Sequence, residues 1–361
     1  MRITFIIPKA DLSGGVRIVY GYAKQLRHRG HEVLVVSRPP RRATVREKVR
    51  SAWTGKPLPT DARRGPTHFD DGQVPLRLID THRPIRAGDV PDADVVVATW
   101  WETAHWVAAF PPSKGAQVYF IQGYEVSDHL PARTLDETWR LPMHKIVIAR
   151  WLAKLAEEKF GDPDYSLVPN AIDLDAFSVP PREKNREPTV GMVYTHVAAK
   201  GCDLGIRAME IARKTIPQLK FLCFGSRQPT DDLPLPPGSQ FSLHPPHEKI
   251  KEIYSSADAW LFCSRQEGFG LPLLEALACR TPVVATPAGA APEVLADGGG
   301  VLVRLSAEGL AGGLLSILQL DGTQWKAMSD KAHAAASRYT WDRSTTLFEA
   351  ALSRAIEKST A

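Results

Sequence analysis

Ser264-Arg265-Gln266-Glu267-Gly268-Phe269-Gly270-Leu271-Pro272-Leu273-Leu274-Glu275-Ala276 follows the apolar run Ala259–Cys263. The run reads as a buried β-strand, the glycine-bearing segment as a loop, and residues 270–279 as a helix. Pro272 falls in the first turn, where a missing N–H costs little. Gly268 and Gly270 let backbone N–H groups approach a ligand closely. The helix start beyond them offers unsatisfied donors and a partial positive charge, which suits an anion. Glu267 lies in the loop and Glu275 in the helix. Carboxylates beside such a helix end suit a ligand that carries hydroxyls as well as phosphate, because they accept hydrogen bonds from sugar hydroxyls. The plain structural alternative is two surface carboxylates near a loop.

Outward from this segment, short apolar runs alternate with helical patterns. In the first half the strands are expected at Ile3–Ile7, Glu32–Val36, Asp94–Ala98, Gln117–Ile121, Lys145–Ile148 and Ser166–Val168. They are rich in Val and Ile without strict alternation, as in a parallel sheet covered on both faces. Residues 16–29 place Val16, Val19, Tyr20, Ala23 and Leu26 on one helical face, and Gly30 ends that helix. The pattern restarts with strands at Thr189–Tyr194, Lys220–Phe224, Ala259–Cys263, Pro282–Ala285 and Gly300–Val303, and helices at 202–214, 247–256, 270–279 and 306–319. The Pro-rich polar segment 178–188 reads as a linker. The expectation is an α/β protein: a Rossmann-like domain over 1–177, a second over 189–339, a cleft between them, and a terminal helix over 340–361 crossing back to the first.

Composition agrees. At roughly 150 residues per domain, 361 residues suggest about two domains. Hydrophobic residues make up 43% and charged residues 24%, which is ordinary for a folded chain and argues against disorder. No apolar run approaches the roughly 20 residues of a membrane-spanning helix, and the first residues read as a strand rather than a leader. Cys202, Cys223, Cys263 and Cys279 form no CxxC pair and no Cys/His cluster, so free thiols in a reducing cytoplasm are expected, with no metal site. The net charge of +5 is too small to indicate nucleic acid. Its distribution is more telling: nine basic residues lie between Arg38 and Arg64 against Glu47 and Asp61. Such a stretch is compatible with contact to an anionic membrane surface or a phosphate-bearing substrate, the alternative being a solvated loop.

Glu267 and Glu275, with seven residues between them in EGFGLPLLEALA, resemble the Glu-x7-Glu motif of retaining glycosyltransferases of the two-domain GT-B fold, family four. The segment from Cys279 to Glu293-Val294 is similar to a further block of that family. Gly14-Gly15, Gly30-His31-Glu32-Val33, Val168-Pro169-Asn170 through Phe177, Lys200-Gly201 and Gly225 extend the resemblance along nearly the whole chain. It implies a nucleoside-diphosphate sugar (UDP-, GDP- or dTDP-) as donor substrate, no metal and no separate cofactor. It places Lys200, Gly268, Phe269, Gly270 and Leu271 at the diphosphate, Glu275 at ribose hydroxyls, Glu267 at sugar hydroxyls and Gly14-Gly15 at donor or acceptor. The implied acceptor is a saccharide, a lipid-linked glycan or a natural product. Trp100, Trp101 and Glu125 are its candidate contacts, with interdomain or core packing the alternative for the tryptophans.

Two departures stand out. Thr195, followed by His196, occupies the place of an arginine common in the family, so one phosphate-binding charge is missing or His196 supplies it. Gln122 occupies the place of a histidine near the reacting sugar, and an amide cannot carry a proton. The run Tyr119–Glu125 and the spacing from Tyr194 to Lys200-Gly201 resemble a subgroup associated with rhamnosyl transfer from dTDP-sugars. His244 and His247, flanking two prolines, are candidates near the base. The competing readings are a GT-B-like epimerase or phosphorylase and a catalytically silent sugar-nucleotide-binding protein. A dehydrogenase is disfavoured because Ser13-Gly14-Gly15-Val16 does not supply G-x-G-x-x-G.

Overall fold

The computed structural model describes residues 1–361 except 56, 57, 60, 61, 63, 64, 125, 127–131 and 361, and except the side chain of His247. The chain divides into two units. The first comprises Met1–Ile148, Leu152–Pro169 and Trp341–Ala361, and the second Ala149–Trp151 and Asn170–Thr340.

In the first unit seven parallel strands form one sheet: β1 (Arg2–Ile7), β2 (Glu32–Ser37), β3 (Leu76–Leu78), β4 (Val95–Ala98), β5 (Ala116–Ile121), β6 (His144–Val147) and β7 (Tyr165–Leu167). Their spatial order is β3-β2-β1-β4-β5-β6-β7, so the chain winds outward from β1 and then returns to add β4 on its other side. That reversal opens a crevice at the carboxyl ends of β1 and β4, where open α/β sheets bind ligands. The helices are α1 (Gly14–His28), α2 (Val45–Thr54), α3 (Trp101–Ala108), α4 (Ala132–Trp139) and α5 (Arg150–Phe160), the last with its first two residues in the second unit.

The second unit opens with the short helix α6 (Leu174–Phe177) and repeats the scheme with β8 (Thr189–Tyr194), α7 (Cys202–Thr215), β9 (Lys220–Gly225), β10 (Gln240–Leu243), α8 (His247–Ser255), β11 (Ala259–Phe262), α9 (Leu271–Ala278), β12 (Val283–Ala285), α10 (Ala291–Val294), β13 (Gly300–Leu302), α11 (Ala307–Leu318) and α12 (Gly322–Ala336). The order β10-β9-β8-β11-β12-β13 puts its switch between β8 and β11. Trp260 pairs with Gly191 across these two strands and is fully buried, because a glycine there leaves room for the indole. The four cysteines are free and buried.

Several elements differ from the expectations. β3 and β10 are short edge strands without a fully buried residue, too weakly apolar to stand out in the sequence. The sequence pattern also assigns no bounds to α4, α5, α10 or α12. The basic stretch is not loop throughout: Thr44 caps α2, accepting from Glu47 N while Glu47 accepts from Thr44 N. The Pro-rich segment 178–188 is tied to the second unit. Arg182 donates to Ala257 O and Thr281 Oγ1, Lys184 to Leu318 O and Leu320 O, and Asn185 N to the buried Asp258. Among the described residues no helix is long and apolar enough to cross a membrane.

The terminal helix α13 (Trp341–Thr360) belongs to the first unit. Phe348 stacks on Tyr22 at 4.4 Å and meets Phe120 edge-on at 5.3 Å. Trp341 lies edge-on to Tyr22 and over Gly21, where a Cβ would come within 2.0 Å of the indole. Gly21→Ala is therefore expected to cost about 1–3 kcal/mol through overpacking. A urea midpoint equal to that of the parent would show that α13 does not rest on α1 in this way. His144, on β6, is bonded to Ser166 Oγ at 2.9 Å. Burial, with the Lys358 charge adding to it, pulls its imidazole down to about 4. The unfolded chain then binds more protons below the ordinary histidine value of about 6.5, so this group's contribution is intact above that pH and is lost as pH falls towards 4. The acid limb of the parent's stability curve should be steeper in that window than that of His144→Gln; superimposable limbs would contradict the assignment.

Candidate functional site

In the second unit the candidate residues sit on the loops that follow β8 and β11, either side of the switch. The loop after β8 ends in a 3-10 turn, Ala198–Lys200. Gly201 then adopts φ +64, and a Cβ on it would come within 2.0 Å of Cys263 O. This glycine is required by the contact with the neighbouring loop, not only by approach to a ligand. Ala199 O accepts from both Arg265 N (2.7 Å) and Gln266 N (3.1 Å), so the two loops are laced through main chain. Arg265 completes the lacing with a bidentate pair to Asp203 at 2.7 Å and a bond to Ala198 O. Sequence reasoning passed over Arg265, whose position beside Glu267 was the available signal.

This lacing brings together Lys200 and Glu267, 67 residues apart by number. Lys200 Nζ lies 2.8 Å from Glu267 Oε1, which also accepts from Ser264 Oγ at 2.9 Å. The Glu267 side chain is 9% exposed and that of Lys200 37%, so the carboxylate is nearly enclosed while the ammonium reaches solvent. Gly268, Phe269 and Gly270 are buried and Leu271 half-buried. Gly270 caps α9 at φ +104, packed against the Phe262 ring. Phe269 O accepts from Ala290 N at 2.8 Å and Gly268 O from Trp151 Nε1 at 2.8 Å. Trp151 was not singled out from the sequence, because nothing local marks it.

Glu275 takes a different surrounding. It is buried in α9, with Oε2 accepting from the hydroxyl of the fully buried Tyr254 at 2.8 Å. Tyr254 comes from α8 and packs against Trp260 at 4.3 Å. Glu293 meets Arg150, its Oε1 accepting from Arg150 N at 3.1 Å. Burial raises the Glu293 carboxyl above its ordinary value, with Arg150 opposing. Thr195 N donates to Cys202 Sγ at 3.3 Å. His196 is exposed, 3.3 Å from Gln228 O and edge-on to Tyr194. Gly225 ends β9 with its Cα against Tyr194 O, where a Cβ would approach to 2.3 Å. His244 follows β10 at φ 45, unusual for a residue with a side chain.

In the first unit Trp100, Trp101 and Gln122 line one pocket with Thr99, Tyr119, Gly123 and Leu135. Thr103 Oγ1 accepts from Thr99 N and Trp100 N, both at 2.9 Å, which fixes the strand-to-helix turn that presents the tryptophans. Gln122 also reaches Gly15, where a Cβ would lie 3.5 Å from its Oε1, so Gly15 and Gln122 are neighbours. Gly14 and Gly15 are exposed and begin α1. Glu125 lies outside the described residues. Beside this pocket Tyr124, Asp136 and Lys159 form a hydrogen-bonded triad that the sequence did not signal.

Residues 175–335, most of the second unit, match the family model of glycosyl transferases group 1. O-antigen chain mannosyltransferase B of Escherichia coli is 33% identical over 102 residues, 28% of this chain and 26% of that protein. GDP-mannose-dependent alpha-(1-6)-phosphatidylinositol monomannoside mannosyltransferase of Mycolicibacterium smegmatis is 30% identical over 176 residues, 42% of this chain and 46% of that protein. The chain thus matches less than half the length of these curated relatives. The crystal structure of Anabaena HepE in complex with UDP and glucose superimposes with a TM-score of 0.74 at 17% identity, covering 98% of this chain and 99% of that one. Sucrose-phosphate synthase from Thermosynechococcus elongatus gives 0.73 at 17%, covering 97% of each. The fold is that of GT-B glycosyltransferase structures, with two Rossmann-like parallel-sheet units.

The Lys200–Glu267 contact yields a stability prediction independent of any ligand. Lys200→Met leaves a nearly enclosed carboxylate without its cation and should cost about 1–2 kcal/mol, less than for a fully buried pair because the ammonium is partly solvated. Adding Glu267→Gln should recover part of that loss, read as a coupling in a double-mutant cycle of urea midpoints. Strict additivity would show that the two charges do not interact.

Proposed function

We propose that this protein is a retaining, metal-independent glycosyltransferase of family four that moves a hexosyl group from a nucleoside-diphosphate sugar to a saccharide, lipid-linked glycan or natural-product acceptor. The observation that carries the reading is the laced pair of loops at the β8/β11 switch. It sets Lys200 against Glu267 and starts α9 from Gly270, within the segment that matches glycosyl transferases group 1.

The donor diphosphate is assigned to the start of α9, where the backbone donors around Phe269–Leu271 and the helix dipole favour negative charge. Lys200, held nearby by Glu267, turns its ammonium to the diphosphate and stabilises the charge that develops on the leaving group. Glu267, released from that pairing and still held by Ser264, accepts hydrogen bonds from sugar hydroxyls. Glu275 is assigned to the ribose, and Tyr254 fixes the orientation of its carboxylate. Thr195, His196 and Gly225 line the donor side. The first unit supplies the acceptor subsite, with Trp100 and Trp101 as apolar walls and Gln122, beside Gly15, as a hydrogen-bonding group near the reacting sugar. The departing phosphate oxygen takes the acceptor hydroxyl's proton as the new bond forms on the same face.

Thermal shift with UDP, GDP, ADP, CMP and dTDP identifies the base. A diphosphate at about 100 times its Kd should stabilise the protein by about 2.7 kcal/mol. Stabilisation by one of them without magnesium is the expected result, and none by any would contradict a donor site at α9. With the corresponding sugar nucleotide, Glu275→Ala should raise donor KM and Glu267→Ala should lower kcat by about 10²-fold or more. Transfer should persist in chelator; a strict metal requirement would overturn the metal-independent reading. Donor binding without transfer to any acceptor would favour the silent binding protein, and release of a new free sugar without acceptor an epimerase.

A further inference from the structure

We infer that α2 is a docking helix for an anionic membrane surface, with Val45, Val49 and Trp53 entering the lipid interface. The helix is well made yet buries nothing. Thr44 and Glu47 form its capping box and Gly55 closes it in the left-handed conformation, but none of its residues is buried. Val45 is 78% exposed, Val49 61% and Trp53 89%. A helix that spends caps on its ends and leaves its apolar residues in water lacks the core contact that normally stabilises a helix this short.

The side chains are sorted around the axis. At about 100° per residue, Val45, Val49, Ala52 and Trp53 fall within an arc of about 100°. Arg46 and Arg50 border that arc on one side and Lys48 on the other, and all three are exposed. Ser51, Thr54 and Glu47 take the opposite side. Glu47, the acidic residue of the helix, is turned back onto the cap and held by Arg41 at 2.8 and 2.6 Å. The apolar stripe is therefore edged by cations, with the acid directed away. Long basic side chains beside an apolar stripe lay their stems on the hydrocarbon boundary while their charges reach phosphate, and an exposed indole belongs at the same level. Charge complementarity selects anionic lipid as the occupant.

The root of this segment is firm. Arg38, just after β2, pairs with Glu102 at 2.7 Å, donates to Pro8 O at 2.9 Å and lies over the Trp106 ring at 5.1 Å. The chain leaves for α2 from the carboxyl edge of the first sheet, the same edge that presents Gly14-Gly15 after β1, Trp100-Trp101 after β4 and Gln122 after β5. If the acceptor assignment above holds, lipid contact brings the acceptor pocket close to the bilayer surface, which suits a lipid-linked acceptor; the docking itself does not rest on that assignment.

Co-sedimentation with vesicles tests it on the full chain. Vesicles of phosphatidylcholine with phosphatidylglycerol should bind the protein, phosphatidylcholine alone should not, and added salt should weaken the binding. Trp53→Ser/Val49→Ser and Arg46→Glu/Arg50→Glu should each reduce the bound fraction about tenfold. Both double variants should keep the parent's unfolding midpoint, because these side chains are exposed. Absence of binding to the anionic vesicles overturns the inference. So does binding that both double variants retain. Self-association in sedimentation velocity without lipid, abolished by Trp53→Ser, would assign the face to a second copy of the chain and overturn it as well. A failed transfer assay leaves every one of these readouts unaffected.

Discussion

The candidate donor site depends on a main-chain contact between two loops. Ala199 O holds Arg265 N and Gln266 N, and Gly201 rests on Cys263 O with no room for a side chain. A Cβ at position 201 would have to displace a strand-end carbonyl, which is backbone and cannot swing aside as a side chain can. Because these bonds use peptide groups, the spacing of the loops is insensitive to which side chains point outward. Lys200 and Glu267 meet because their backbones are already fixed.

Electrostatics then divides labour among residues of one type. Three carboxylates lie on or near these loops in different states. Glu267 is held by a lysine and a hydroxyl, Glu275 is buried against a tyrosine hydroxyl, and Glu293 is half-buried opposite an exposed arginine, its carboxyl raised above the ordinary value by partial burial. A buried carboxylate is tolerated only with hydrogen-bond donors, so each partner is part of the site's stability as well as its geometry. Arg265 provides a cation close to the loops, but its fork is occupied by Asp203 and the Ala198 carbonyl. Lys200 is the cation that couples directly to a candidate catalytic group.

The first unit uses the same plan with different chemistry. At its carboxyl edge Trp100, Trp101 and Gln122 line one pocket, and Thr103 pins the turn that presents the tryptophans. Its interior is completed from the far end of the chain, since Phe348 and Trp341 of α13 fill the space around Tyr22. The glycines at the start of α1 are exposed, whereas Gly21, midway along the same helix, is closed over by Trp341.

The sequence by itself determined the alternating β/α order, because strands covered on both faces are continuous apolar runs and helices between them keep a 3.6-residue stripe. It also determined the glycine loop, the proline in the first turn of α9 and the two glutamates, all of which are local signals. Tertiary structure decided what those glutamates touch. The partnership of Glu267 with Lys200, of Glu275 with Tyr254, and of Trp151 with Gly268 arises between segments far apart in number, and local pattern carries no record of such pairings. It also decided the short edge strands β3 and β10, whose pairing is supplied by their neighbours rather than by their own composition. The basic stretch shows the division most plainly. Its charge was legible from composition, but whether its valines and tryptophan face a core or water depends on where the rest of the chain lies, and only the folded chain leaves them exposed.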